Sequence, residues 1–69
     1  MRDSLERLVS EMLDKGVQYE DVRREFEKLS ITRALQRSKG SVGEAAELLG
    51  LHRNTIARKI AEYRIKRGS

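Results

Sequence analysis

The chain contains no cysteine and only one histidine, His52, among its 69 residues. Without cysteine there is no disulfide to staple a small core, a composition that suits a reducing cytosol, and no Cys/His cluster with zinc-ligand spacing can be assembled. A metal site is therefore not expected. Proline is also absent, so no ring interrupts a long helix. No apolar run approaches the ~18 residues that a membrane span requires, and Met1-Arg2-Asp3-Ser4 lacks the apolar core of a signal peptide. These absences predict a soluble, unsecreted protein of the cytoplasm with no membrane partner. Alternation with period two is missing as well, so strands are not expected. No Ser/His/Asp or Cys/His set is available for catalysis, and His52 sits beside Arg53. The carboxylates Glu6, Glu11, Glu20, Asp21, Glu25 and Glu27 alternate with cations, as solvated helix faces do. The chain does not read as an enzyme, and neither a cofactor nor a small-molecule substrate is expected.

What is present is charge, unevenly placed. Residues 1–38 hold eight Lys/Arg and eight Asp/Glu, whereas residues 39–69 hold seven Lys/Arg against three Glu, so the whole excess of +4 lies in the C-terminal part. Such an excess suits a surface that binds a polyanion, because neutralising phosphates releases counterions.

Helical periodicity accounts for the first half. Asp3 or Ser4 is placed to cap a first helix, with Glu6 three residues beyond Asp3 to complete the exchange. Leu5, Leu8, Val9, Met12 and Leu13 then form one apolar stripe, ended by Gly16. After the connector Gly16-Val17-Gln18, the acidic Glu20 and Asp21 favour the positive end of a second helix, which runs from Tyr19 to Ser38. A helix of ~20 residues spans about 30 Å. Val22, Phe26 and Leu29 share one arc of it, while Ile31, Ala34 and Leu35 lie roughly opposite. A helix serving one core needs one face, and a chain this short has few spare elements to wrap it twice. The first half is therefore expected to pack on helix one and on a second subunit, with Leu5, Leu8, Val9, Met12, Val22, Phe26 and Leu29 at the dimer interface. The second half is expected to support the C-terminal helices.

Lys39-Gly40-Ser41 breaks the long helix, with Gly40 supplying the turn and Ser41 and Glu44 spaced as a capping box. Val42, Ala45, Ala46 and Leu49 give a short helix one apolar face, stopped at Gly50. Leu51 is expected to fill the corner. A further helix carries Ile56, Ile60 and Tyr63 on one side and Asn54, Ala57, Arg58 and Ala61 on the other, at about 100° per residue. Residues 41–63 thus have the layout of a helix-turn-helix whose second helix enters the major groove. Two helices of a structural bundle would use the Ala-Ala pair and the glycine corner, but would not need arginine on the outward face. Residues 64–69 form a basic tail in which Ile65 can fold back on the core; Arg64, Lys66 and Arg67 either touch the DNA backbone or are disordered.

Ile31, Ala34-Leu35, Gly40, Glu44-Ala45-Ala46, Leu48-Leu49-Gly50, Arg53-Asn54-Thr55-Ile56 and Arg58-Lys59 together resemble the Fis family, and more closely the C-terminal DNA-binding domains of NtrC-type bacterial enhancer-binding activators. With the helices before them, the resemblance extends over nearly the whole chain. It implies an all-α intertwined homodimer, in which two long helices from each subunit make a four-helix bundle with a C-terminal helix-turn-helix at each end. It also implies that Arg53, Thr55, Arg58 and Lys59 occupy positions that contact DNA. Adding the outward Asn54 and Ala57, His52 in the turn and Ser41 at the cap completes the expected DNA-binding set.

The chain departs from the family in places. Ala57 stands where Fis has a long basic residue, His52 where it has an asparagine, and the β-hairpin arm is absent, so the recombination-enhancing activity is not carried over. Nor is there a Gly-x-x-x-x-Gly-Lys-Ser/Thr phosphate loop; the chain is either a free-standing regulator or a terminal domain following ATPase and receiver domains. The expected function is sequence-specific binding of duplex DNA as a homodimer in bacterial transcriptional regulation, on the nucleoid. The principal alternative is a helical homodimeric protein-interaction module. Gly40-Ser41-Val42-Gly43 matches the GXXG loop of KH RNA-binding domains, but that fold requires strands.

Overall fold

A computed structural model describes residues 1–66, which form four helices and, among the described residues, no strand. Helix α1 spans Arg2–Lys15, α2 Tyr19–Arg37, α3 Val42–Leu49 and α4 Arg53–Tyr63. The core is built from the last three alone: Ile31, Ala34 and Leu35 of α2, Ala45 and Ala46 of α3, and Ile56 and Ile60 of α4, with Val42, Leu49 and Ile65 packed around them. Alanines at 45 and 46 let α3 lie close against α2 and α4, where a larger side chain would hold the helices apart. The expected inward faces of α3, α4 and the second half of α2 are the faces buried, and Ile65 does fold back.

Helix α1 buries no residue. Its stripe is exposed at Leu5, Leu8, Val9 and Leu13, with only Met12 half-buried. In the first half of α2, Val22 is half-buried while Phe26 is 57% and Leu29 53% exposed. This uncovered surface continues in a groove lined by Phe26, Leu29, Ala34, Leu48 and Leu49, reaching the helix-turn-helix itself. The Cα radius of gyration is 13.3 Å, against about 11 Å for a compact chain of this length, as expected where one helix projects from a three-helix core. Ser30 and Thr32, at the point where α2 exchanges one apolar face for the other, return their hydroxyls to the carbonyls of Phe26 and Lys28 at 2.7 and 2.8 Å.

The C-terminal end of each helix is closed by the same pair of backbone hydrogen bonds. Past α1, Gly16 adopts φ 68° and Val17 N–H donates to the Met12 carbonyl at 3.0 Å; past α3, Gly50 adopts φ 69° and Leu51 N–H donates to Ala46 at 2.9 Å. Both glycines hold a backbone conformation that strains any residue with a Cβ. Past α2 the chain turns through Lys39 at φ 54° and Gly40 at φ 85°, and past α4 through Arg64 at φ 54°.

Three local expectations are corrected. Helix α1 is capped by neither Asp3 nor Ser4: Leu5 N–H donates to the Met1 carbonyl at 3.1 Å, so the first turn starts one residue into the chain and Asp3 lies inside it. Ser41 caps α3, its Oγ accepting from Glu44 N–H at 3.2 Å. Its own N–H, however, goes to the Ser38 carbonyl at 3.1 Å rather than to Glu44, because the tight link from α2 supplies that acceptor first. Leu51 does not fill the corner; it is 45% exposed, since the cap that recruits its N–H to Ala46 turns its side chain outward.

Candidate nucleic-acid interface

The position of α4 is set at both of its ends. At the start, the His52 backbone is extended, at φ −72° and ψ 143°, and its carbonyl accepts from Thr55 and Ile56 at 3.0 and 3.2 Å. The His52 ring completes the cap, Nδ1 accepting from Asn54 N–H at 3.1 Å. A ring nitrogen that accepts carries no proton, so the neutral imidazole bears its hydrogen on Nε2. His52 is exposed, and Nε2–H is a donor free to meet a phosphate oxygen. The sequence does not suggest a capping role, because histidine is not among the preferred N-cap residues.

With Ile56 and Ile60 facing inward, Asn54, Ala57, Arg58 and Ala61 are exposed on the opposite side, and Arg53, one turn before Ile56, is exposed at the open first turn of the helix. Thr55 is half-buried at the flank. Among the described residues, Arg53 and Arg58 make no ion pair, and no acidic residue stands in the first turn of α4. The exposed surface of α4 therefore combines two available guanidiniums, an amide and two small side chains that let a helix approach another surface closely. Ser41 is half-buried with its Oγ engaged as a cap, at the α3 end of the same unit. Arg64 and Lys66 are exposed beyond α4, and Arg67 lies outside the described residues.

Lys59 is placed differently from the rest of the expected set. Its Nζ lies 2.8 Å from Oε2 of Glu27 on α2, and its side chain is 18% exposed. Tyr63, one turn further along α4, donates its hydroxyl to Oε1 of the same carboxylate. The Lys59 ammonium and then the Tyr63 hydroxyl hold the Glu27 carboxyl below the usual 4.5, and the bond to Glu27 pushes the Tyr63 phenol above its usual 10.0. Helical spacing marks Tyr63 only as an apolar core residue. No short-range signal in the sequence connects it to Glu27.

Among the described residues there is no group of three or more His, Cys, Asp or Glu that could hold a metal ion, and no helix long and apolar enough to cross a membrane. Residues 22–63 match the family model of bacterial regulatory proteins of the Fis family. No curated protein and no solved structure matches the chain.

Proposed function

The chain belongs to the Fis family of bacterial regulatory proteins, and from that premise we propose that it binds duplex DNA sequence-specifically, as a homodimer, in transcriptional regulation. The observation that carries the reading is the division of α4: Ile56 and Ile60 are buried against α2 and α3, while Arg53, Asn54, Ala57 and Arg58 are exposed and, among the described residues, no carboxylate neutralises the two arginines. Near the start of α4, Arg53 reaches a guanine edge with two parallel hydrogen bonds, the commonest specific contact in the major groove. Arg58, Thr55, the His52 Nε2–H and Ser41 are assigned to the backbone, where they fix register. With Ala57 and Ala61 on the reading face, few side chains choose bases. Selectivity then depends in part on how readily the DNA bends to meet both subunits.

The uncovered apolar surface of α1 and the first half of α2 supports the dimer. A second copy would bury the exposed Leu5, Leu8, Val9, Phe26 and Leu29 and set two recognition helices one DNA turn apart, about 34 Å. The finer assignment to NtrC-type activators, following ATPase and receiver domains, rests on the helix-turn-helix residues.

Binding-site selection with the wild type and Arg53→Ala, followed by salt titration of the selected duplex, tests the reading. The expected result is a palindromic site with one guanine per half-site that depends on Arg53. The affinity should fall steeply with salt, as for about 6–10 neutralised phosphates per dimer. An unchanged base preference in Arg53→Ala removes that residue from the reading set. No duplex binding at low salt would leave a helical protein-interaction module.

A further inference from the structure

The first half of α2 touches the recognition helix through one polar cluster, and the cluster has a direction. Glu27 lies one turn before Ile31, at the rim of the core, with its side chain 24% exposed. Its two oxygens are taken by residues four apart on α4, Oε2 by Lys59 and Oε1 by Tyr63. On the α2 side the carboxylate is backed by Arg23, whose Nη1 is 3.6 Å from Oε1 and whose Nε donates to Glu20 at 3.1 Å. The Arg24 guanidinium lies 6.0 Å from the centroid of the Tyr63 ring, within reach of a cation–π attraction. Charges thus alternate from Glu20 through Arg23 and Glu27 to Lys59, running from the apolar arm of the molecule to the helix that faces outward.

We propose that Glu27 is a positioning residue for the recognition helix, holding Lys59 and Tyr63 of α4 against α2 and keeping the Lys59 ammonium out of the DNA backbone contacts. Two points fixed on a rigid carboxylate, one helical turn apart, set the rotation of α4 about its axis as well as its distance from α2. The rotation decides where Arg53 and Arg58 point. Lys59 adjoins Arg58 and, unpaired, would be long enough to swing out to a phosphate; paired at 2.8 Å with a half-buried carboxylate, it is neutralised internally instead. The withdrawal of Lys59 from DNA rests on the proposed DNA binding, whereas the clasp itself does not.

The experiment has two arms. Thermal melts of Glu27→Gln, Lys59→Met and the double variant, without DNA, read the clasp alone: Glu27→Gln keeps the shape and an acceptor for Tyr63 but loses the charge. The two substitutions should be less than additive, the double variant melting higher than the summed losses predict. Additive losses overturn the clasp whatever the protein binds. In the second arm, salt titrations of duplex binding are compared across the wild type and the same three variants. Glu27→Gln should steepen the log–log salt slope by about one per subunit, as one more phosphate is neutralised, and should lower discrimination between selected and random duplex several-fold. Lys59→Met alone should leave the slope unchanged, and in its background Glu27→Gln should no longer steepen it. A slope that becomes shallower in Lys59→Met, or that steepens without Lys59 present, or that Glu27→Gln leaves unchanged, overturns the withdrawal of Lys59. Failure of the wild type to bind duplex DNA strikes the proposed function and leaves the first arm to decide the clasp.

Discussion

The two halves of α2 each carry three apolar residues along one helical face and treat them in opposite ways. Ile31, Ala34 and Leu35 are buried under α3 and α4, while Phe26 and Leu29 stand more than half exposed and Val22 is partly covered. Helical spacing decides that a face is apolar; whether the chain itself can cover that face depends on how many elements remain to do so. Two helices, α3 and α4, close around the second half. For the first half only α1 is left, and α1 brings an exposed stripe of its own. One helix therefore belongs to a finished core at one end and to an unfinished one at the other.

The largest effect is expected where the core is closed. Ile56→Ala removes a side chain with no exposure, at about 2–5 kcal/mol, much of what a domain of this size holds in reserve. Circular dichroism at 25 °C should show a large loss of helix. Phe26→Asp strikes the open half and should act on assembly instead. Sedimentation at tens of micromolar should give a monomer that keeps the helix-turn-helix fold, with duplex affinity down about a hundredfold as the second binding arm is lost. A wild type that remains monomeric would erase the difference between the two halves. Gly50→Ala forces a Cβ into φ 69°, at about 1–2 kcal/mol, and should lower the melting temperature accordingly. Gly43→Ala should do the reverse, raising stability by about 0.5–1 kcal/mol, since an added Cβ there meets nothing within 4 Å.

The smallest effect concerns pH. The folded-state pKa of Glu27 is depressed, chiefly by Lys59, so its contribution to stability is present above the ordinary 4.5 and is lost as pH falls below that value. Melts of the wild type between pH 7 and 3, compared with Glu27→Gln, should show an acid-side loss that the variant lacks in part.

Much of this arrangement is legible in the residues. Gly16 and Gly50 mark their helix ends because only glycine takes the left-handed conformation freely, and the buried set from Ile31 to Ile60 follows from helical spacing alone. The outward position of Asn54, Ala57, Arg58 and Ala61 follows from the same count, whereas Arg53 is exposed because it begins the helix. The features that spacing does not reveal are of two kinds. The Glu27–Lys59–Tyr63 cluster joins residues 36 positions apart at its widest, and only the packing of α2 on α4 brings them together. Competition between local hydrogen bonds accounts for the rest: Met1 closes the first turn before Asp3 can cap it, His52 uses a ring nitrogen where a hydroxyl or carboxamide is usual, and Leu51 gives its N–H to Ala46 and its side chain to solvent.

Among the described residues, Lys39 and Arg64 are the left-handed residues that are not glycine. In that conformation each carries a strain of roughly 1–2 kcal/mol, and a positive charge at a helix C-terminus returns only about 0.3–1 kcal/mol. Selection for stability alone would favour glycine at both positions. Both cations also belong to the basic C-terminal part that holds the chain's entire charge excess. Lys39→Gly and Arg64→Gly should therefore each raise the melting temperature, at the cost of one cation from the basic C-terminal part.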